Sequence, residues 1–553
     1  MRKGLWIGGL VAILVVVAGV ALAANWRSLV LFAVANRGKE PVAANREVVW
    51  SQGPEAPPAG ERPPNIVFIL ADDLGINDLS TFGGGVAGGR APTPNIDALA
   101  AQGAVFSTAY AGTAACAPSR AMIMTGRYPT RHGFEFTPTF GGMGRMLELF
   151  YNDGSRPHRL IFDREADRAL PPMLEQGLPG SEVTVAEVLK ARGYHTLHIG
   201  KWHLGGAPEF TPNAQGFDES LNMMGGLYLP EDDPGVVNVK LDFDPIDRFL
   251  WARSQYAASF NGGPMFAPKG YLTDYYTDEA VKAIRANRNR PFFLYLAHWG
   301  PHTPMQAARA DYDALSHIED HRLRVYAAMI RAVDRSVGRV LQTLKEEGLE
   351  ENTIVVFSSD NGGAGYIGLP EVNRPYRGWK LTFFEGGVRV PLFVRWPGRI
   401  EPGARYAHPV SHLDMMPSLA AAAGAQIPQD REIDGVNILP FVTGAASRDV
   451  RARQTLFFQD GYYLAVRDGD WKLQTSERPK KDWLFNLAED PTEKVNLAAQ
   501  RPDKVAELKA LLAQHRKGGR KPLYPAAGEM PVSIDKTLEE KATPQDEYVY
   551  WPG

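Results

Sequence analysis

Cysteine is almost absent from this sequence, since Cys116 is the only one among 553 residues. A chain with a single cysteine forms no intrachain disulfide, which excludes a disulfide-stabilised secreted scaffold. No Asn-x-Ser or Asn-x-Thr sequence occurs either, so the acceptor site for N-glycosylation is lacking. Neither sign of charge is in excess, with 60 Lys and Arg against 63 Asp and Glu, and nucleic acid is therefore not an expected partner.

The N-terminal residues form a targeting segment. Three residues, two of them basic, precede an uncharged and mainly apolar run at 4–24. Ala21-Leu22-Ala23 offers a small-residue cleavage site, but a run of about 20 residues is also long enough to span a bilayer. A cleaved signal peptide and a membrane anchor at 1–24 therefore both remain open. In either case we expect an exported protein, in the bacterial periplasm or on the periplasmic face of the inner membrane.

Apolar periodicity predicts an α/β fold for most of the chain. Continuous apolar runs of the kind found in strands buried on both faces alternate with helical patterns over several hundred residues. The predicted strands lie at 65–70, 196–199, 291–297 and 353–357. The predicted helices lie between Thr93 and Gly103, at 185–191 and at 323–347. This alternation indicates a mostly parallel sheet with helices on both faces.

The sequence changes character near residue 447. Short alternating strands at 455–459, 462–467 and 471–475, followed by a helix at 504–515, predict a small antiparallel sheet covered by a helix. We therefore divide the chain beyond the targeting segment into four parts. They are a linker at 25–62, a catalytic α/β domain at 63–447, an α+β C-terminal domain at 448–530 and a tail at 531–553 that wraps the surface or is partly disordered.

Polar residues directly follow each of the four predicted strands. In chain order they are Asp72 and Asp73, Lys201 and His203, His302, and Asp360 and Asn361. Taken singly, each would be interpreted as a turn, cap or structural residue. Ligands of open α/β sheets bind at the carboxyl ends of the strands, so we expect the whole set to converge on one crevice.

The oxygen ligands in this set suit a hard cation. Asp72, Asp73, Asp360 and Asn361 supply three carboxylates and one amide, which favour Ca²⁺ or Mg²⁺ over zinc. Basic residues and histidines would surround the cation with positive charge and hydrogen-bond donors. These residues are Arg120, Lys201, His203, His302 and Lys380. Such a pocket fits a tetrahedral oxyanion, that is, a sulfate or phosphate ester.

The single cysteine lies in the segment Cys116-Ala117-Pro118-Ser119-Arg120, which runs on to Thr125-Gly126-Arg127. The pattern predicts a nucleophile at the start of a short helix, with Ser119 as its cap and free N–H groups beside the side chain. The alternative is a buried free cysteine that packs as a small apolar residue.

The segment C-x-P-S-R followed by T-G-R resembles the signature of the type I sulfatases. The chain is similar to that family at 65–73, 93–103, 200–205, 301–304, 360–363 and 378–391 as well, so that the resemblance covers about 63–500. It implies an alkaline-phosphatase-like α/β fold with a smaller C-terminal domain. It also implies that the protein is a sulfuric ester hydrolase.

The resemblance further implies a metal site and a modified nucleophile. Cys116 would be converted by a maturation enzyme to formylglycine, and the hydrate of that aldehyde would attack sulfur. One Ca²⁺, or Mg²⁺, would be held by Asp72, Asp73, Asp360 and Asn361 together with residue 116. Because the hydrate has two hydroxyls on one carbon, the second would expel sulfate and restore the aldehyde.

The remaining roles follow from the same resemblance. Arg120 would hold the formylglycine and the metal site in place, and Lys201 and Lys380 would bind the sulfate oxygens. His203 would hydrogen-bond the aldehyde hydrate, and His302 would protonate the leaving alcohol. We therefore expect the rate to fall as pH rises through the pKa of His302 in the complex. The segment at 379–384 departs from the family pattern, because it is more apolar than the usual Gly, Lys and Thr-rich stretch.

The substrate is less constrained than the chemistry. Sulfates of aryl or other apolar alcohols are favoured, and carbohydrate sulfates are possible. Two insertions at 134–180 and 229–270 contain many apolar and aromatic residues, which pack locally under long loops or wall the pocket. One alternative is a phosphonate or phosphodiester monoester hydrolase of the same superfamily. Another is an unmodified, membrane-tethered protein that binds sulfated glycans, although binding alone has no need of His302. The oligomeric state is left open.

Overall fold

The computed structural model of the protein describes residues 26, 39–57, 60, 62–152, 154 and 156–553. The targeting segment predicted at 1–24 lies outside the described residues. No helix within the described part of the chain has the length and apolar character needed to cross a membrane.

The described residues form twenty strands and fourteen α-helices. The strands are β1 (Asn65–Ala71), β2 (Ala104–Phe106), β3 (Ala109–Tyr110), β4 (Ile161–Phe162), β5 (His195–Gly200), β6 (Glu219–Met223), β7 (Val236–Val239), β8 (Ala258–Phe260), β9 (Phe292–Ala297), β10 (Met305–Ala308), β11 (Thr353–Ser359), β12 (Leu392–Arg395), β13 (Ala404–Tyr406), β14 (Val410–Ser411), β15 (Thr455–Asp460), β16 (Tyr463–Asp468), β17 (Trp471–Glu477), β18 (Lys480–Asn486), β19 (Gly528–Ser533) and β20 (Tyr548–Pro552). The helices are α1 (Pro94–Ala101), α2 (Cys116–Thr125), α3 (Pro129–His132), α4 (Met143–Tyr151), α5 (Arg164–Ala169), α6 (Val185–Ala191), α7 (Pro245–Arg253), α8 (Leu272–Ala286), α9 (Arg309–Ala314), α10 (His321–Glu346), α11 (Glu385–Val388), α12 (Met415–Ala422), α13 (Pro440–Thr443) and α14 (Pro502–Arg516).

The central sheet of the described residues has nine strands in the order β13-β2-β12-β11-β1-β9-β5-β6-β8. The five strands from β11 to β6 all run parallel to one another. Antiparallel pairing occurs towards the edges, where β12 pairs with β11 and with β2, and β8 pairs with β6. The predicted α/β fold class, with a mostly parallel sheet, is confirmed.

Strand β1 shows why the chain folds into a sheet covered on both faces. All seven of its residues are buried. Val67 and Ile69 pack into a core with residues of α8 and α10, whereas Ile66, Phe68 and Leu70 pack into a second core with residues of α2, α6 and α12. Side chains alternate across a strand, so a continuous apolar run supplies both cores.

The C-terminal domain is an antiparallel meander in the order β15-β16-β17-β18 with α14 packed on one face. Its burial pattern alternates along β15, as expected for a sheet with two different faces. The three strands predicted from alternation correspond to β15, β16 and β17, and the predicted helix corresponds to α14.

A buried charge cluster joins this domain to the catalytic domain. Lys472 on β17 is fully buried, and its Nζ lies 2.8 Å from Glu385 Oε1 and 3.0 Å from Glu493 Oε1. Glu385 begins α11, the short helix just beyond Lys380, and its backbone N–H donates to Glu493 Oε2. The two domains are therefore held together by a charged interior contact as well as by apolar packing.

The tail at 531–553 returns to the catalytic domain. Strand β19 pairs with β20 and, through Gly528 and Glu529, with β4 of the first insertion. The N–H of Leu538 donates to Gly365 O at 3.0 Å. The tail thus wraps the surface, as one of the two predicted alternatives had it, and does so beside the loop that contains Lys380.

Part of the predicted linker at 25–62 packs against the body. Ala43 bridges to Phe266, and its N–H donates to Met265 O at 3.0 Å. Trp50 is buried, and its Nε1–H donates to Glu279 on α8 at 2.9 Å. The segment has little apolar periodicity, so its composition gives no indication of these contacts.

Candidate active site

The predicted site residues come together at the carboxyl ends of β1, β5, β9 and β11. The residues that directly follow these strands are Asp72, Asp73, Lys201, His203, His302, Asp360 and Asn361. Parallel strands all end at the same edge of their sheet, which is why residues nearly 300 positions apart meet. Helix α2 adds Cys116 and Arg120, and the loop between β11 and α11 adds Lys380.

Cys116 is the first residue of α2 and is 4% exposed. Its Sγ lies 3.6 Å from Asp72 Oδ1 and 3.8 Å from Asp73 Oδ1. Burial, with Asp360 nearby, raises the pKa of the thiol. An unmodified Cys116 is therefore protonated at neutral pH, which makes it a poor nucleophile in its own right.

Arg120 fixes the positions of two acidic side chains of the site. Its side chain is fully buried, with Nε donating to Asp360 Oδ2 at 2.9 Å and Nη2 lying 3.2 Å from Asp72 Oδ2. Nη1 donates to the backbone oxygen of Lys201 at 2.9 Å. Burial opposes the charge, but the two carboxylates raise the pKa of Arg120. One planar guanidinium thus connects the ends of three strands.

Two lysines neutralise the paired carboxylates. Lys201 Nζ lies 2.6 Å from Asp72 Oδ2, and Lys380 Nζ lies 2.8 Å from Asp73 Oδ1. Burial and the neighbouring Asp360 raise the pKa of Asp72 to about 7. For Asp73 burial acts in the same direction, but Lys380 and His302 hold its pKa below its usual range.

His302 faces this pair from the end of β9. Its Nδ1 lies 2.6 Å from Thr303 O, which fixes Nδ1 as the protonated nitrogen of the neutral ring and leaves Nε2 as an acceptor. Nε2 lies 3.6 Å from Asp73 Oδ2. Burial lowers the pKa of His302 to about 3, despite the opposing effect of Asp73.

His203 is less tightly fixed than the other site residues. Its Nδ1 is buried and has no hydrogen-bond partner among the described residues. Burial and the charges of Lys201, Arg120 and Lys380 lower its pKa well below the usual value. The ring is therefore neutral and lies within electrostatic range of all three cations.

The backbone is strained beside the site. Asp73 and His203 have φ angles of 62° and 64°, in the left-handed region that non-glycine residues rarely adopt. Leu381, next to Lys380, has a φ of 74°. Such residues tend to occur at functional sites, where the surrounding structure holds them in place.

The donor set fits a divalent cation. Ligand atoms of Asp72, Asp73, Cys116 and His302 lie within 4.8 Å of one another. Asn361 donates its Nδ2 to Asp73 Oδ1 at 2.7 Å, while its Oδ1 is buried without a partner and is free to act as a ligand. Carboxylate and amide oxygens are the ligands that Ca²⁺ and Mg²⁺ prefer. Asp360 also accepts hydrogen bonds from Arg120 and from the Asp73 N–H.

Formal charges in the cluster balance. Three carboxylates, from Asp72, Asp73 and Asp360, face three basic side chains. The basic side chains are those of Arg120, Lys201 and Lys380. A divalent cation would leave a net charge of about +2 on the site, which favours an anionic substrate.

Two aromatic residues of the site were missed in the sequence. Tyr366 donates its OH to Asp73 Oδ2 at 2.8 Å, and Trp299 stacks on the His302 ring with centroids 4.0 Å apart. Lys201 Nζ lies 4.6 Å from the centre of the Trp299 ring. Trp299 lies nearer to the end of β9 than His302 does, so the strand-end rule that selected His302 could have selected it too.

The prediction that Ser119 caps α2 is wrong. The helix begins at Cys116, and Ser119 lies within its first turn. Its Oγ lies 3.1 Å from Nδ1 of the buried His412, whose Nε2 lies 3.0 Å from Ser358 Oγ on β11. A tertiary partner 293 positions away therefore takes the place of the local cap, and this link fixes α2 against β11.

This fold and site define a hydrolase that binds a tetrahedral anion at strand ends. A family model described as Sulfatase matches residues 64–425, and one described as N-sulphoglucosamine sulphohydrolase, C-terminal, matches residues 378–518. The chain belongs to the sulfatase family. Its activity is that of a sulfuric ester hydrolase.

Individual relatives agree with this assignment. The chain is 32% identical to N-acetylgalactosamine-6-sulfatase of Canis lupus familiaris over 464 residues, which cover 82% of this chain and 76% of the relative. It is 33% identical to arylsulfatase A of Homo sapiens over 500 residues, covering 81% and 87%. It is also 33% identical to steryl-sulfatase of Mus musculus over 492 residues, covering 76% and 71%.

Solved structures with a similar fold include Ps i-CgsB in complex with k-i-k-neocarrahexaose. The two structures superpose with a TM-score of 0.69 at 30% identity, over 84% of this chain and 95% of the other. The phosphonate monoester hydrolase SpPMH of Silicibacter pomeroyi has a TM-score of 0.57 at 20% identity, over 83% and 96%. The second likeness concerns the fold alone.

Proposed function

We propose that this enzyme is a formylglycine-dependent sulfatase that hydrolyses sulfate esters of aryl or other apolar alcohols. The observation that carries the proposal is the position of Cys116. Its side chain lies on the Asp72 and Asp73 carboxylates at the start of a buried helix, with Arg120, Lys201 and Lys380 around it. As formylglycine, residue 116 would supply an aldehyde hydrate as the nucleophile towards sulfur.

Lys201 and Lys380 are placed to bind the sulfuryl oxygens. Both ammonium groups are buried. They form ion pairs with Asp72 and Asp73, whose carboxylates would also hold a cation. One Ca²⁺, with Mg²⁺ as the other candidate, would be held by Asp72, Asp73, Asp360, Asn361 and residue 116, and would stabilise negative charge on the sulfuryl oxygens. Arg120 keeps these carboxylates in position and is itself too enclosed to reach the substrate.

His302 is placed to deliver a proton to the leaving oxygen. The contact between Nδ1 and Thr303 O holds the ring so that Nε2 faces the site. Burial keeps the free side chain neutral at neutral pH, so we propose that it takes up its proton as the substrate anion binds. The rate for an ester with a poor leaving group should then fall as pH rises through the pKa of His302 in the complex.

Carbohydrate sulfates are the second candidate substrates. N-acetylgalactosamine-6-sulfatase is among the relatives, and Ps i-CgsB was solved in complex with k-i-k-neocarrahexaose. Steryl-sulfatase and arylsulfatase A, at similar identity, favour the apolar class. Phosphonate or phosphodiester monoesters are a weaker alternative, because the likeness to a phosphonate monoester hydrolase extends only to the fold.

The enzyme would be exported, and a second protein would convert its cysteine. Export to the bacterial periplasm, or attachment to the periplasmic face of the inner membrane, would follow from the targeting segment at 1–24. A formylglycine-generating maturation enzyme would have to act on Cys116. Nucleic acid has no part in this function.

The test combines mass spectrometry with kinetics. The tryptic peptide at 91–120, from protein made in its own host, should contain formylglycine at position 116. The same preparation should release sulfate from an aryl sulfate faster than it cleaves the matching aryl phosphonate, and Cys116→Ala should abolish both. An intact thiol in active material would overturn the mechanism, and an intact thiol in inactive material would favour the glycan-binding alternative.

A further inference from the structure

A cavity of about 210 Å³ lies beside Lys380, on the side of the site that faces the tail. We name it the tail-side cavity, and its walls include Phe243, Tyr366, Trp379, Lys380, Leu381 and Leu538. Lys380 and Tyr366 both reach from this wall to the Asp73 carboxylate. Lys380 and Tyr366 therefore connect the wall of the tail-side cavity to the acidic residues of the site.

Three segments meet at this cavity, and none of them contains a predicted catalytic residue. Tyr151 comes from the first insertion, Phe243 from the second and Leu538 from the tail. Tyr151 OH donates to Pro531 O at 3.2 Å, which ties the first insertion to the tail. The insertions and the tail thus have a common location, and it is next to the active site.

The tail is fixed to the loop that contains Lys380. Arg377, three residues before Lys380, donates to both carboxylate oxygens of Asp535, at 2.5 and 2.6 Å. The same guanidinium also contacts Glu547. Together with the bond from Leu538 N–H to Gly365 O, these contacts make the tail a fixed wall of the cavity.

The apolar departure from the family pattern at 379–384 falls on this wall. Trp379 and Leu381 both line the tail-side cavity and are 6% and 7% exposed. Leu381 adopts the left-handed conformation, which is unfavourable for a residue with a Cβ, and its N–H donates to Ala114 O at 2.9 Å. A leucine held in this strained conformation is the kind of residue that tends to occur at functional sites.

Two buried polar atoms of wall residues lack a hydrogen-bond partner among the described residues, namely Trp379 Nε1 and His158 Nε2. An N–H left unpaired in the interior, as that of Trp379 is, costs free energy, so an acceptor at this point would be favoured. Phe243, Leu381 and Leu538 offer apolar surface on this wall, and Arg156, His158, Lys536 and Glu539 are among the polar residues that also line it.

We infer that the tail-side cavity binds the alcohol part of the sulfate ester, as a fused or extended apolar ring system with one hydrogen-bond acceptor for Trp379 Nε1. The inference rests on the proposed sulfatase function. It makes Trp379, Leu381 and Leu538 specificity-determining residues. On this inference the two insertions and the tail form the subsite. They determine which alcohol the enzyme accepts.

The experiment uses two substrates that differ in one group. 4-Methylumbelliferyl sulfate has a fused ring system with a carbonyl acceptor, and 2-naphthyl sulfate has fused rings without one. Trp379→Phe keeps an aromatic ring but removes the N–H, and should lower kcat/KM about tenfold for the first substrate and leave the second nearly unchanged. Leu538→Trp fills the cavity and should lower kcat/KM for both by about tenfold or more.

A matched control and a binding measurement make the outcome decisive. Val495→Trp adds the same indole at a position that is 56% exposed and should change neither substrate. Calorimetric titration of 4-methylumbelliferone into Cys116→Ala protein should show binding that Leu538→Trp abolishes. Full activity of Leu538→Trp on both substrates, with unchanged binding, would overturn the inference.

Failure of the proposed function gives a different result. In that case wild-type protein with formylglycine at position 116 hydrolyses no sulfate ester. Binding of 4-methylumbelliferone that is lost in Leu538→Trp would then still support the cavity as a site for apolar rings. If wild-type protein instead hydrolyses N-acetylgalactosamine 6-sulfate well and Leu538→Trp leaves that rate unchanged, the alcohol lies elsewhere and the inference is wrong.

Discussion

Replacing Lys472 by Met should destabilise the contact between the two domains. The ammonium is fully buried between Glu385 and Glu493, at 2.8 and 3.0 Å, and methionine has a similar length without the charge. Removing one partner from a buried ionic cluster costs about 3–5 kcal/mol, because the remaining charges are left uncompensated. Unfolding entropy is about 2.1 cal/mol/K per residue, or about 1 kcal/mol/K for a chain of this size, so Tm should fall by about 4 °C.

The loss of stability in Lys472→Met should be larger at high pH than at low pH. Burial raises the pKa of Glu493 to about 7, while Lys472 opposes this shift. Burial also acts against the charge on Glu385, but Lys472 and Arg389 hold its pKa at about 2. A raised pKa in the folded state means that stability is lost as pH rises. Without Lys472 both carboxyl groups are harder to ionise, so the variant should lose more stability at pH 8 than at pH 5.5.

Thermal unfolding of wild type and Lys472→Met at the two pH values checks this reasoning. Lys509→Met is the matched control, because Lys509 pairs with Asp482 on the surface at 46% exposure and should contribute little. Adding Glu493→Gln to Lys472→Met should recover part of the loss at pH 8. An unchanged Tm, or equal losses at pH 5.5 and pH 8, would refute the assignment of a charged interior contact.

Three further predictions concern other parts of the molecule. Burial raises the pKa of Asp78 from 3.8 to about 7, so this carboxyl costs stability as pH rises from about 4 to 7, and Asp78→Asn should remove that pH dependence from the free energy of urea unfolding. Arg377→Ala should release the tail, and limited proteolysis should then cleave at 531–553 sooner than in wild type. Chelation should lower Tm and added Ca²⁺ should restore it, since a cation on Asp72 and Asp73 stabilises only the folded state; an unchanged Tm would contradict a structural cation.

The strands and helices that could be predicted are those whose pattern of apolar and polar residues lies within one continuous stretch of sequence. Strands β1, β9 and β11 consist mainly of continuous apolar runs, so their own residues indicate burial on both faces, whereas β5 contains His195 and His198 and is less strongly marked. The polar residues after them could be assigned to one site because parallel strands share a carboxyl end. The bounds of helix α6 at 185–191 are predicted to the residue, and in the structure Thr184 caps it.

The elements that could not be predicted depend on partners far away in the chain. Strands β2 and β13 have three residues each and exist only by pairing at the edge of the sheet. Local cap chemistry suggested one role for Ser119, and a histidine 293 positions away imposed another. Trp50 in the predicted linker gave no signal, because its partner lies on α8.

If activity requires the proposed conversion of Cys116, the burial of this residue limits when the enzyme can become active. The side chain is 4% exposed, belongs to the first residue of a helix whose ten residues are all buried, and contacts the carboxylates of Asp72 and Asp73. A maturation enzyme could reach it only in a chain that has not yet folded. On the proposed mechanism, each molecule has one opportunity for conversion during synthesis and export, and a chain that folds first keeps its thiol. The active fraction of a preparation would then be decided by competition between two rates, and no later treatment of the folded protein would raise it.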